Sequence, residues 1–563
     1  MKKVIIAVGC VLAALIIVLS VYFIFIKDKA EKVDNPNIIN VPTEGPTQVP
    51  TPTDIPNSGD TSNSTELFPA YQMIEGEKRY GYIDLSGTFV IEPAYDYAEN
   101  FTEGVAIVWT GENYKVINTS GATVFENNNI ILPFSNGMAA YMNIKEDTLL
   151  YGYIDINGKI IIEPSFIFAD SFNEEGQAYV ALPGGNSYQL IDKTGKVLED
   201  YKVDLGGNYI NAFEDGYILY SVTDTMKYGV LKVDGTTILE PIYSAISYLG
   251  RDLFAVKNPE LESYGVMFDP AALYNASGEQ LTDYNLYDIQ HFTGEYTSAS
   301  NDTYVYFMDS SGKEVTSLPS FDGEGMLTLL DDTVKAEIDG DLAYYRLDNT
   351  KLWQADTTTY LETGIIVKEL KFKPLRSVMV RYPQVEGLKD PAIQKNINEQ
   401  LETQFTEARA NITVDDNLSV NDSFKASLNK NLLTISMSGY DYYEGAAHGM
   451  PLREFFFIDI TTGEFYDFSD LFIQGGEYKT YIDEFIRTKI SEADPEESMF
   501  FPDTFTGITD SPYFYLKENS IVIYFYPYEI AAYAAGFPEF EISFEELKDF
   551  IKTDSAFWKS FHE

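Results

Sequence analysis

One pattern recurs along the chain and limits its fold more than any other feature. Its clearest copy is Tyr80-Gly-Tyr-Ile-Asp-Leu-Ser-Gly87-Thr-Phe-Val-Ile-Glu-Pro93, and it returns as Tyr151-Gly-Tyr-Ile-Asp-Ile-Asn-Gly158-Lys-Ile-Ile-Ile-Glu-Pro164. Weaker copies carry Gly121, Gly195, Gly235, Gly278 and Gly312, with Asn349 in a last copy. Eight units at so regular a spacing indicate a repeat architecture. Within a unit, alternating apolar and polar residues form a strand. Asp84, Asp155, Asp192 or Asp309 then opens a tight turn by bonding nearby amides, and the glycine three residues on supplies the positive φ of a bulged hairpin. A second β run follows and is expected to end at Glu-Pro, since proline cannot donate to a ladder. Phe101 to Gly104, Phe134 to Gly137 and Phe213 to Gly216 mark a further turn. Three or four short strands per unit make residues 67–355 a mainly β repeat domain. About eight hairpin units fit a closed, propeller-like ring, which protects its strand edges, and an open β-solenoid is the alternative.

These motifs resemble the WG-repeat family, written Trp-Gly-Tyr-Ile-Asp-x-x-Gly. Tyrosine stands in for tryptophan at Tyr80-Gly81, Tyr151-Gly152, Tyr228-Gly229 and Tyr264-Gly265. The resemblance covers residues 68 to about 355 and implies a β-rich platform that binds other molecules.

The N-terminus points to a compartment. Residues 1–3 form a short stub and 4–26 are uncharged and apolar, long enough as a helix to span about one bilayer core. Residues 27–66 hold Pro36, Pro42, Pro46, Pro50, Pro52 and Pro56 among Thr, Asn and Ser, a composition that cannot bury a core. The expectation is a single transmembrane anchor and an extended spacer, with the bulk of the chain outside the cell membrane. The one cysteine, Cys10, lies in the anchor, so the rest must hold together by packing. With 39 Lys and Arg against 87 Asp and Glu, the formal charge is −48. That balance disfavours nucleic acid and suits a cationic partner.

Residues 360–435 and 436–563 read as an α+β C-terminal region. Asp390-Pro391 is an N-cap and first-turn pair, and Ile393, Ile397, Leu401 and Phe405 place one helix face inward. Strands are expected near Leu432–Met437 and Phe455–Ile460, and a helix near 479–490. A hairpin turns at Lys517-Glu-Asn-Ser520, and a short closing helix is expected at Phe544–Ile551. Three motifs stand out: Tyr442-Tyr-Glu-Gly-Ala-Ala-His448, then Phe457-Ile-Asp-Ile-Thr-Thr-Gly463 with Asp470-Leu-Phe472, then Tyr526-Pro-Tyr-Glu-Ile-Ala-Ala-Tyr-Ala-Ala-Gly536. In this order they resemble the extracytoplasmic domain of RsiV-type anti-sigma factors, which also accompanies a peptidoglycan deacetylase; Ala446 departs from the pattern. Val378–Ile412 resembles the smaller unit that precedes it. The resemblance implies an extracytoplasmic binding domain, which in the anti-sigma relatives binds lysozyme, a cationic protein.

Candidate ligand-binding residues are Tyr442, Tyr443, Glu444, His448, Tyr528, Glu529 and Tyr533. His448 either contacts a ligand or bonds a loop carbonyl and ties that loop to the Tyr-Pro-Tyr-Glu segment. Glu529 is either a ligand acceptor or a partner for a backbone amide. No catalytic residue, metal or cofactor is assigned. The histidines are His291, His448 and His562, far apart in sequence, and nucleophile-elbow and Walker-type patterns are absent. The reading is a non-catalytic envelope protein that recognises a secreted lysozyme-like protein or a wall-glycan fragment. A glycan hydrolase or deacetylase accessory and a structural surface spacer are the alternatives.

Overall fold

The computed structural model describes residues 66–563 apart from 75–76, 146–147, 185–186, 259–268, 476 and 494–498. The anchor, nearly all of the spacer and the Tyr264-Gly265 copy lie outside the described residues. Among the described residues no helix is long and apolar enough to cross a membrane, so the transmembrane helix gains no support from the fold. The chain is mainly β and divides into two compact units, a repeat unit ending at Gln354 and a C-terminal unit of Ala355–Glu563, with the short segment Gln72–Lys78 grouped with the latter.

Among its described residues the repeat unit holds eight sheets of three or four strands, in chain order. The turn chemistry is as the sequence predicts. Asp84, Asp155, Asp192 and Asp309 each accept backbone N–H groups two and four residues on. The seven repeat glycines and Asn349 all have φ between +67° and +86°.

One expectation needs correcting. Proline does not end the second strand, which runs on from Phe89 to Tyr95. Tyr80 pairs with Tyr95 and Tyr82 with Ile91, so residues 92–94 bulge out opposite Gly81 alone. The same shift separates Tyr151↔Phe166 from Tyr153↔Ile162, and Tyr228↔Tyr243 from Val230↔Leu239. Pro93, Pro164 and Pro241 sit in these bulges, where no ladder donor is required. A Cβ on Gly152 would lie 2.5 Å from the Ile162 carbonyl oxygen, and one on Gly229 2.8 Å from that of Leu239. Gly81, Gly152 and Gly229 are therefore demanded by a crossing backbone rather than by their own φ.

Neighbouring sheets pack face to face. Tyr82 of the first sheet shares a core with Ala106 and Ile117 of the second, and Tyr153 of the third with Val180 and Ile191 of the fourth. The hydroxyl of Tyr82 donates to the Glu99 carbonyl (2.8 Å) and that of Tyr153 to the Asp170 carbonyl (2.7 Å), each reaching the next sheet. Tyr344 occupies the same place five residues before Asn349, and its hydroxyl donates to the Pro69 carbonyl (2.7 Å). Its ring lies 5.2 Å from Phe68. The eighth sheet thus meets the first through the bond that joins consecutive sheets elsewhere. No single sheet closes into a barrel.

The C-terminal unit is α+β. Seven strands between Thr359 and Tyr466 form one sheet in sequence order, antiparallel except where Val378–Glu386 runs parallel to Leu418–Asn429. Helix α1 (Pro391–Thr406) makes that crossover, capped by the Asp390 carboxylate on the Ala392 N–H. Its buried Ile397, Leu401 and Phe405 meet Val378, Val380, Leu433 and Ile435, each buried side chain contributing about 1.5–3 kcal/mol. The strand Leu432–Tyr443 crosses residue 435, so this sheet is continuous between the two expected C-terminal segments. A second core gathers helix α2 (Tyr478–Glu492), the three strands Phe514–Lys517, Ser520–Tyr524 and Glu539–Ser543, and helix α3 (Ala556–His562). The predicted hairpin is present, with Lys517 opposite Ser520. Residues 544–550 are turns rather than a helix, because Ile551 is drawn into a bridge with Phe472. The closing helix starts later, at Ser555, whose side chain accepts the Trp558 N–H.

Candidate functional site: a tyrosine-rich junction of two loops

Strand Leu432–Tyr443 and strand Met450–Asp459 are joined by the turn that carries His448. The turn is held from within: Tyr442 donates to the Ala446 carbonyl (3.1 Å), and the Gly449 N–H donates to the Tyr440 hydroxyl (2.8 Å). The Gly449 carbonyl oxygen lies 3.1 Å from His448 Nδ1, which must be the donor. In the neutral ring Nε2 is then free to accept, and the Tyr528 hydroxyl stands 2.9 Å away. The His448 ring also stacks on Tyr533, centroids 3.8 Å apart. Tyr533 is pushed up to about 12 by burial and then by the neighbouring Tyr440.

The second loop, from Tyr526 to Gly536, is fixed at its base. Tyr524 and Tyr526 both donate to the Arg453 carbonyl (2.6 and 2.9 Å), and the Arg453 N–H donates to the Tyr526 hydroxyl (3.1 Å). The Arg453 guanidinium lies 4.9–5.6 Å from the rings of Phe455, Tyr515, Tyr524 and Phe537 and pairs with Glu539 at 2.6 Å. This is a cation–π box filled by the protein's own arginine. At the loop tip Tyr528 has φ +71°, an unusual conformation for a bulky residue. Its N–H bonds the Ala531 carbonyl, and its side chain is 51% exposed.

The structure therefore brings together His448, Tyr528 and Tyr533 of the sequence candidates. The others stand apart from that contact. Tyr442 is engaged within its own turn. Tyr443, one residue along the strand, falls on the opposite face and is exposed. Glu529 accepts the Tyr526 N–H (3.0 Å), closing its own loop. The Glu444 N–H donates to the Asn417 carbonyl. Tyr440, Tyr526 and Arg453 are the members that sequence reasoning left out. Tyr440 was accessible through strand alternation, two residues before Tyr442; Arg453 carried no local signal.

On the α1 face of the same sheet Arg409 bonds both Asp422 (2.9 Å) and Asp441 (2.7 Å). Asp422 is fully buried, and desolvation raises it to about 6 despite the arginine. A Cβ at Gly439 would strike the Asp422 carboxylate, which explains the glycine opposite it. This carboxylate pair is held by a guanidinium and serves to anchor the end of α1.

Three family models match the chain. WG containing repeat matches residues 80–114 and 151–181, Deacetylase PdaC matches 372–451, and DUF3298, a protein of unknown function, matches 469–545. The repeat unit carries WG repeats. The C-terminal unit carries a PdaC-like segment followed by a DUF3298 domain, in agreement with the resemblance read from its three motifs. No curated protein matches the chain. Among solved structures, a DUF3298-family protein from Bacteroides fragilis is 15% identical, covering 37% of this chain and 99% of its own, with a TM-score of 0.26. One from Pseudomonas aeruginosa is 19% identical, covering 34% and 94%, with a TM-score of 0.27. Kluyveromyces lactis Hsv2 is 12% identical, covering 51% and 95%, with a TM-score of 0.25.

Proposed function

We propose that this is a non-catalytic receptor of the bacterial cell envelope. In this reading residues 4–26 anchor it, the WG repeats form an eight-bladed propeller outside the membrane, and the C-terminal unit, where the PdaC-like segment meets the DUF3298 domain, receives a secreted cationic protein of the lysozyme type. The observation that carries the reading is the contact of His448 with Tyr528 and Tyr533, which joins two loops 80 residues apart into one half-buried aromatic cluster with Tyr528 exposed at its tip. Tyrosines presented on a pre-ordered loop supply contact area at low entropic cost, as binding hot spots require. The charge of −48 favours encounter with a cation. The PdaC-like segment and the DUF3298 domain support an envelope setting. Asp422 and Asp441 are committed to Arg409, so that pair of carboxylates is engaged in holding α1 rather than open to a substrate.

The test is calorimetric titration of the full chain with hen lysozyme and, separately, with soluble peptidoglycan fragments. Lysozyme is expected to bind, and Tyr528→Ala is expected to weaken it by about 2 kcal/mol. Binding of glycan alone would transfer the site to wall polymer, and binding of neither would remove the receptor reading.

A further inference from the structure

The repeat unit contains the chain's two Asn-Gly pairs, Asn136-Gly137 and Asn157-Gly158. An asparagine before glycine is the most open to loss of its side-chain amide, because glycine has no side chain to shield the attacking backbone nitrogen. The repeats show which pair the fold leaves open. Asn157 holds the third position of the Asp-x-x-Gly turn. In five units that position is a hydroxyl residue bonded to the residue that opens the turn: Ser86, Ser120, Thr194, Ser277 and Ser311, at 2.6–2.7 Å. In two it is Asp234 or Asp348, and there the turn opens with a cation, Lys232 or Arg346. Asn157 of the third sheet is exposed, and its side-chain amide has no hydrogen bond among the described residues.

Asn136 is held differently. It is half-buried, and its side-chain amide donates to the Phe172 carbonyl (3.0 Å) and the Ser135 hydroxyl (3.3 Å). The Gly137 N–H donates to the Glu103 carboxylate (2.8 Å), a negative neighbour that retains the proton the reaction must remove. The Gly158 N–H donates instead to a neutral acceptor, the Asp155 carbonyl (2.9 Å). Both the side-chain carbon under attack and the attacking nitrogen are therefore less restrained at 157–158 than at 136–137.

We propose that Asn157 is a site of spontaneous deamidation in the folded protein, and that its conversion loosens the hairpin of the third sheet. The case does not depend on the receptor reading. The Gly158 nitrogen loses its proton and attacks Asn157 Cγ; the bond from Cγ to Nδ2 breaks, and ammonia leaves with that proton. Water then opens the cyclic imide at either carbonyl, giving aspartate, or isoaspartate with the backbone routed through the side chain. Water is the one co-reactant, and nothing is oxidised or reduced. Aspartate at position 157 puts a second carboxylate beside that of Asp155, which already accepts the N–H groups of residues 157 and 159 (both 2.9 Å). Isoaspartate adds a backbone methylene inside that turn, which then cannot keep these bonds. Gly158 is wedged beneath Phe125 of the second sheet, where a Cβ would lie 2.6 Å from the ring, so a displaced turn disturbs the contact between the second and third sheets.

The experiment incubates the full chain at mildly alkaline pH in water enriched in heavy oxygen and reads tryptic peptides by mass spectrometry, with fragmentation to locate the label. In denaturant the two asparagines are expected to take up label at similar rates. In the folded chain Asn157 is expected to do so about tenfold faster than Asn136, which keeps its side-chain hydrogen bonds. The melting temperature should fall as label accumulates at position 157. Asn157→Ser, which installs the residue found at Ser86, should abolish that labelling and hold the melting temperature through the same incubation. The rate comparison uses the unaltered chain and decides even if the variant fails to fold. Equal rates at the two asparagines in the folded chain, no label at position 157, or an equal fall in melting temperature in folded Asn157→Ser would overturn the proposal.

Discussion

Gly81 shows how one residue can be fixed by a neighbour's backbone. A methyl group there would meet the Ile91 carbonyl, whereas one at Gly104, whose φ is +80°, would meet nothing within 4 Å. Gly81→Ala is therefore expected to cost about 3 kcal/mol by overpacking, and Gly104→Ala about 1 kcal/mol through backbone strain alone. Denaturant unfolding of the two variants checks the order; equal losses would contradict the crossing-backbone account. The Arg409 network gives a second prediction at this scale. Arg409→Met leaves the buried Asp422 carboxylate without its partner and is expected to cost about 3–5 kcal/mol at pH 7.5. The cost should shrink at pH 5, because Asp422 is already raised to about 6 and takes up a proton once the arginine is gone. A cost that stays constant over that range would mean that Asp422 remains ionised.

Among elements, the tyrosine hydroxyls that join successive sheets are the most informative. Tyr82→Phe and Tyr344→Phe each delete one hydrogen bond to a backbone carbonyl and should each cost about 1 kcal/mol. Thermal unfolding that registers the loss at Tyr82 but not at Tyr344 would argue against contact between the eighth and first sheets. The turn and strand pattern of each unit was legible because Asp, Gly and alternating apolar residues act over a few positions. The Tyr344–Pro69 bond spans 275 residues and leaves no local trace. Helix α1 was legible from its cap and four-residue period. The expected helix at Phe544–Ile551 was not formed, because tertiary pairing of Ile551 outweighed a weak local preference. At the candidate site the motif tyrosines were visible, but Tyr443 and Tyr442 were grouped together although strand alternation sends them to opposite faces. Arg453 stayed hidden because its rings converge from four separate positions.

At the scale of the whole molecule, acidity shapes stability as well as recognition. Burial raises Glu99, Asp170 and Glu214 each to about 7, above their unfolded values. Groups raised in the folded state stabilise it fully below the unfolded pKa, and that contribution is lost as pH climbs through the folded one. The melting temperature of the repeat unit should therefore fall between pH 5 and pH 8. The variant carrying Glu99→Gln, Asp170→Asn and Glu214→Gln should show a flatter slope; an unchanged slope would assign the pH dependence to other acids. The receptor reading has its own test at this scale, since it requires the two loops of the C-terminal unit, one in the PdaC-like segment and one in the DUF3298 domain, rather than the WG repeats, to take up the cationic protein. Hydrogen–deuterium exchange of the full chain, with and without saturating hen lysozyme, tests this most directly. The account predicts new protection in residues 440–449 and 526–536; protection confined to the repeats, or none in either loop, would contradict it.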